Sequence, residues 1–121
     1  TTVPAIILTG SDDTIALPET AYEAYDALVN APSKVIYRYN TDTHGDKDLK
    51  ADHMAPIDDD GWMPGWAMGM LGGDGEVDTF DYRVFWAALD AALDGQNTLT
   101  FNMGAWSDGV PVKAVTQLAP K

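Results

Sequence analysis

Asp13, His44 and a serine are the residue types in this chain that together could run nucleophilic chemistry. Asp13 sits in the turn Ser11-Asp12-Asp13-Thr14, directly after the apolar, β-branched run Val3–Gly10. His44 sits in the loop Thr41–Asp46, directly after the strand-like run Lys34–Asn40. An acid after one parallel strand and a histidine after the next fall on the same edge of a sheet, where open α/β sheets place their sites. An aspartate holding a histidine makes two-thirds of a nucleophilic triad, with the acid fixing the tautomer and the histidine acting as general base. Asp12, beside Asp13, is the competing acid, and its other reading is a hydrogen-bonding turn residue.

The nucleophile is the missing third. Ser107 lies in Ala105-Trp106-Ser107-Asp108-Gly109, which satisfies an Ala-x-Ser-x-Gly pattern. A nucleophile elbow needs a helix directly after the serine, and Val110-Pro111-Val112 argues for strand instead, so a polar hairpin turn is expected there. Ser11 lies in the acid's own turn and Ser33 starts a strand, so neither suits the role.

The elements that must position Asp13 and His44 are legible in the pattern of residue types. Val3–Thr9 lacks polar alternation, which predicts a strand buried on both faces. Pro18 and Glu19 suit the first turn of a helix that runs to about Asn30. Ala21, Tyr25 and Leu28 form its packing face, and Asn30-Ala31-Pro32 ends it. Lys34–Tyr39 is the second strand, completing a right-handed βαβ unit. Asp46–Asp60 reads as polar loop. Gly61–Gly75 contains two Trp and three Met among six Gly, with a short helix over Pro64–Leu71 weakened by Gly65 and Gly69. Asp78 caps a helix reaching about Asp94, with Val84, Phe85, Ala88, Leu89 and Ala92 as its apolar stripe and Gly95 closing it. Leu99–Met103 alternates like a half-buried strand. Gly104–Gly109 turns, and Val110–Gln117 returns as an edge strand, since Pro111 excludes a central one.

The bulk composition narrows the function classes. The 121 residues make one domain or part of one, and 45% hydrophobic residues with four Trp mark a folded chain. A net charge of −12, from 7 basic and 19 acidic residues, argues against nucleic acid and anionic membrane surfaces as partners. It slightly favours a secreted or periplasmic location. No cysteine is present, which excludes disulfides, thiolate metal sites and a cysteine nucleophile. No apolar run reaches the ~18 residues of a membrane span. The chain opens abruptly on a buried-type strand, and two parallel strands cannot by themselves cover such a sheet. The missing strands are expected from another chain or an N-terminal portion, since an open edge invites aggregation.

Several other clusters have two readings each. Asp58-Asp59-Asp60 and Asp42/Asp46/Asp48 offer oxygen ligands for Ca²⁺, against the default of solvated acidic loops. His44, His53 and Asp46 form a sparse metal set, against two unrelated loop histidines. Trp62, Met63, Trp66, Met68 and Met70 suit either an adaptable acyl-binding wall or ordinary packing. Trp86 and Trp106 read as packing and hairpin-tip residues.

The order Pro4-Ala5-Ile6-Ile7-Leu8-Thr9-Gly10-Ser11-Asp12-Asp13-Thr14-Ile15-Ala16-Leu17-Pro18, then helix, strand and Thr43-His44-Gly45, resembles the C-terminal third of an α/β-hydrolase. Asp13-Thr14-Ile15-Ala16 is particularly similar to the dienelactone-hydrolase and cutinase-like esterase branch. Asp13 matches that family's catalytic acid by its spacing from Gly10, and His44 its catalytic histidine, 31 positions later. The likeness spans Val3 to Gly95. It implies parallel strands with flanking helices, here with an added C-terminal β-hairpin. The segments are 1–52 (the βαβ unit with acid and histidine), 53–76 (the Trp/Met/Gly-rich loop), 77–95 (the C-terminal helix) and 96–121 (the hairpin tail). It implies ester hydrolysis through an acyl-enzyme, with Asp13 and His44 serving a serine on a separate N-terminal chain, a small ester as substrate, and no metal or organic cofactor. The family order Ser…Asp…His is the reverse of what Ser107 would give. The Gly-x-Ser-x-Gly elbow is absent from this chain, and 46–75 and the residues after Gln96 are not usual family features. A non-catalytic α/β binding module is the alternative from another class, and a Ca²⁺-stabilised acidic module a third.

Overall fold

Ala5–Gly10 (β1) and Lys34–Tyr39 (β2) lie parallel, joined by the helix Pro18–Ala27 (α1). These coordinates are a computed structural model, which describes residues 4–45, 48–52, 79–96 and 98–119. The molecule is a small mixed α/β protein. A three-residue strand, Thr116–Leu118 (β3), runs antiparallel to β2, giving the order β1-β2-β3. Among the described residues no helix is long and apolar enough to cross a membrane.

Each element has a local cause. Pro18 opens α1, where its missing N–H costs nothing and its fixed φ suits the helix. The helix ends at Ala27, three residues before the expected stop. Lys34 secures that end: its Nζ donates to the carbonyl of Tyr25 at 2.6 Å and lies 4.3 Å from the Tyr25 ring centroid. A cation there meets the negative end of the helix. In β2, the β-branched and aromatic residues Val35, Ile36, Tyr37 and Tyr39 are all buried. Alternation puts Val35, Tyr37 and Tyr39 on one face and Ile36 on the other, so β2 is covered on both.

The core lies on the Tyr37/Tyr39 face. Tyr39 packs its ring against Phe80 and Phe85, and Tyr37 packs edge-on to Phe101. Leu49, Ala51, Val84, Met103 and Val112 complete the cluster. The second helix, Trp86–Leu93 (α2), follows a π-helical turn over Asp81–Phe85. The extra residue of such a turn rotates every side chain after it relative to a 3.6-residue pattern. The expected apolar stripe is split: Val84 and Ala88 share the buried face, whereas Leu89, about 100° further round the helix, is 57% exposed.

The structure corrects three expectations. β1 is not buried on both faces: Ala5–Leu8 are half-buried, because β1 is the edge of the described sheet and pairs with β2 alone. Leu99–Met103 forms no strand; Tyr37 Oη accepts its first N–H, from Leu99, at 3.0 Å, and Phe101 anchors it by its ring. The C-terminal β-hairpin shrinks to a single bridge between Ala105 and Pro111. The strand that follows is shorter and later than Val110–Gln117 and joins β2 instead, since Pro111 has no N–H to continue a ladder. The cap at Asp78, the segment Pro64–Leu71, the Trp62/Met63/Trp66/Met68/Met70 wall, the Asp58-Asp59-Asp60 cluster, His53 and Asp46 lie outside the described residues.

Candidate functional site

β1 and β2 end level with each other, Gly10 opposite Tyr39, so their exit loops start side by side. Hydrogen bonds lace those loops together. The N–H of Ser11 donates to the Tyr39 carbonyl at 3.0 Å, and the N–H of Thr41 donates to Ser11 Oγ at 2.9 Å. Thr41 Oγ1 donates to Asp12 Oδ2 at 2.6 Å and accepts the N–H of Ala51 at 2.9 Å. Asp12 is thereby a hydrogen-bonding turn residue. Gly10 is required at this seam: a Cβ there would fall 2.2 Å from the Ala51 carbonyl oxygen.

Asp13 Oδ1 accepts the N–H groups of Ile15 at 3.0 Å and Ala16 at 2.8 Å. This is a short aspartate closing its own turn. Its negative charge also reaches Tyr39: burial first, then Asp13 and Asp52, push the Tyr39 phenol well above its ordinary value. Asp13 borders a groove between β1 and α1, together with Leu8, Thr9, Leu17 and Thr20.

His44 meets a different carboxylate. Its Nε2 lies 2.7 Å from Asp108 Oδ2, and the two side chains are 41% and 56% exposed. The structure brings His44 together with Asp108 and not with Asp13. The hydrogen bond from His44, then the N–H of Val110, hold the Asp108 carboxyl below its ordinary value. Nδ1 of His44 has no hydrogen-bond partner among the described residues.

A buried aspartate builds this pair. Asp42 is only 4% exposed. Its Oδ1 accepts the N–H of His44 at 3.1 Å; its Oδ2 accepts Trp106 Nε1–H at 3.1 Å and the N–H of Lys113 at 2.9 Å. Its backbone exchanges two 2.9 Å bonds with Leu49. Burial opposes the charge, but these donors outweigh it and hold Asp42 below its ordinary value. A carboxylate with several N–H donors is stabilised in just this way. Asp42 therefore ties the His44 loop to the 104–113 segment. Gly45 lets the Trp106 ring lie against that loop, since a Cβ there would fall 2.2 Å from Trp106 Cζ3. Among the described residues no group of three or more His, Asp or Glu has the geometry to hold a metal ion.

Ser107 is exposed at the tip of a reverse turn closed by Trp106 N–H to the Val110 carbonyl at 2.8 Å and Gly109 N–H to the Trp106 carbonyl at 2.9 Å. Gly109, at φ +86°, takes the left-handed position. No helix follows, so this is a turn and not a nucleophile elbow. Sequence reasoning missed the roles of Asp42 and Asp108. The Asp-Gly pair at 108–109 does signal a turn, but not what that turn faces. No protein-family model, no curated protein and no solved structure matches this chain.

Proposed function

We propose that this chain is the histidine-bearing part of a serine ester hydrolase, its nucleophile and oxyanion hole supplied by an N-terminal polypeptide. The observation that carries this is the level end of parallel β1 and β2, with the Asp13 turn and the His44 loop laced together on one edge. His44 would take the serine proton as Oγ attacks the ester carbonyl and return it to the leaving alkoxide. Water would then release the acyl group by the same route. The resemblance assigns the orienting carboxylate to Asp13. Two further features support a missing partner. β1 presents an open edge among the described residues. α2 and the turn before it expose Tyr82, Trp86, Leu89 and Leu93 at helical spacing, a stripe that normally meets protein.

Intact mass spectrometry of the native preparation, with and without a fluorophosphonate probe, tests the reading. A companion chain that gains the probe mass is the expected result. A lone chain without adduct overturns it. An adduct on this chain would move the nucleophile here, with Ser107 the first residue to examine.

The second reading is a non-catalytic α/β binding or interaction module. It is favoured by the engagement of both side chains: Asp13 closes its own turn, and His44 pairs with an exposed aspartate.

A further inference from the structure

The carboxylate that reaches His44 lies 64 residues away in sequence, on a turn that the hydrolase resemblance does not include. It is held there in four ways. Asp108 Oδ1 accepts the N–H of Val110 at 3.1 Å, which fixes its rotamer. Ala105 and Pro111 bridge the base of the turn. Trp106, one residue before Ser107, is bonded to Asp42 at 3.1 Å, and Lys113, beyond the other side of the turn, is bonded to the same Asp42 oxygen at 2.9 Å. Asp42 also holds the His44 backbone, through its other oxygen. Both partners are thus hung from one buried carboxylate. An orienting group is effective when its own supports leave it little freedom.

We propose that Asp108 is the positioning carboxylate of His44: it holds the ring through Nε2 and leaves Nδ1 as the nitrogen that accepts the serine proton. This rests on the hydrolase reading above. Neutral imidazole has one donor and one acceptor nitrogen, and the bond made by one sets the state of the other. With Nε2–H donated to Asp108, Nδ1 carries the lone pair. Serine Oγ–H gives its proton to Nδ1 as the Oγ–C bond forms, and the imidazolium now donates Nε2–H to a full carboxylate. The Nδ1 proton then passes to the leaving alkoxide oxygen as the C–O bond breaks. Asp13, its Oδ1 committed to Ile15 and Ala16, shapes the neighbouring turn.

The test has two readouts. The first is ¹⁵N NMR of the imidazole nitrogens in the whole chain in alkaline solution, where the ring is neutral. The chain has two histidines, His44 and His53, and His53→Gln assigns them. The expected spectrum shows His44 protonated on Nε2, the preference lost in Asp108→Asn and retained in Asp108→Glu. Dispersed indole signals show that each variant is folded. The second is hydrolysis by the protein that carries the reactive serine. Asp108→Asn should lower kcat by about 10²-fold with little change in KM, and Asp108→Glu should restore part of it. An unchanged His44 spectrum in folded Asp108→Asn overturns the proposal, as does a kcat loss larger in Asp13→Asn than in Asp108→Asn. Absence of any fluorophosphonate-reactive serine instead overturns the hydrolase reading, and the NMR result then describes a structural pin.

Discussion

The loops that leave β1 and β2 emerge side by side, yet Asp13 in the first and Asp42 in the second bond in opposite ways. The Asp13 carboxylate bonds N–H groups two and three residues ahead, while Ser11 and Asp12 beside it tie the turn to Thr41. The loop after β2 is held at long range: Asp42 bonds Trp106 and Lys113, 64 and 71 residues away. A local aspartate turn can form in a short peptide. The Asp42 hub exists only once the C-terminal segment has returned to β2. The two Asp13 bonds are therefore a property of their own sequence, and the Asp42 hub a property of the fold. Both regions bear on His44, because its backbone hangs from the second while the resemblance looks for its acid in the first.

The largest expected effect tests whether the second loop carries the chemistry at all. On the proposed function, His44→Ala should lower ester hydrolysis by roughly 10⁴-fold, with the thermal unfolding midpoint nearly unchanged because the side chain is 41% exposed. A folded, fully active variant would remove His44 from the mechanism.

Asp42→Ala comes next and acts on stability. It leaves the N–H groups of His44 and Lys113 and the Trp106 indole N–H without their acceptor. Hydrogen bonds to a charged group are worth about 1.5–3 kcal/mol each, and buried unsatisfied donors add to the loss. A destabilisation of about 3–5 kcal/mol is expected, read from urea unfolding at neutral pH. A loss under about 1 kcal/mol would show that the hub is replaceable by water.

The same hub sets a pH dependence. Asp42 and Asp108 both lie below the ordinary carboxyl value of 3.8 in the folded chain. Between their folded and unfolded values the unfolded chain binds more protons, so stability rises with pH there. The contribution is complete above about pH 5 and is lost progressively as pH falls through the unfolded and then the lowered folded values. Urea midpoints measured on the acid side should fall less steeply in Asp42→Ala than in the parent chain. Identical slopes would mean that Asp42 does not titrate below its unfolded value. A smaller effect is expected of Gly45→Ala. Its Cβ forces the Trp106 ring, tethered through Nε1 to Asp42, to give way. About 1–3 kcal/mol is expected, with a shift in Trp106 fluorescence as the accompanying sign.

This contrast also accounts for what the sequence reveals. The β1–α1–β2 unit is legible because its cues are local: an unbroken apolar run, Pro18 at a helix start, a β-branched and aromatic second strand. The turn at 104–109 is legible for the same reason, since Gly104 and Gly109 take φ of +73° and +86°. The Asp42 hub is not legible. Asp42 reads as one acid in a run of loop acids, and nothing at Trp106 or Lys113 announces an acceptor so far upstream. The pairing of β3 with β2 is hidden likewise, because three residues carry too little pattern to name a partner. The resemblance pointed to Asp13 by its distance from Gly10. It had no means of weighing Asp108, which lies beyond the stretch it covers.

Asp13→Ala is the smallest of these effects and the one that decides whether the contrast is real. If Asp13 only closes its own turn, its removal frees two N–H groups at a site where Ile15 is half exposed and water can replace the carboxylate. The cost should then match the loss of a helix N-cap, about 1 kcal/mol. The loop after β2 should keep its structure, since Thr41 is held by Ser11 and Asp12 rather than by Asp13. Urea unfolding gives the energy, and the His44 imidazole shifts report the neighbouring loop. A loss as large as that of Asp42→Ala, or a displaced His44 signal, would mean that the Asp13 side chain also acts on distant partners. The two loops would then be one cooperative site, and Asp13 would regain its claim on the histidine.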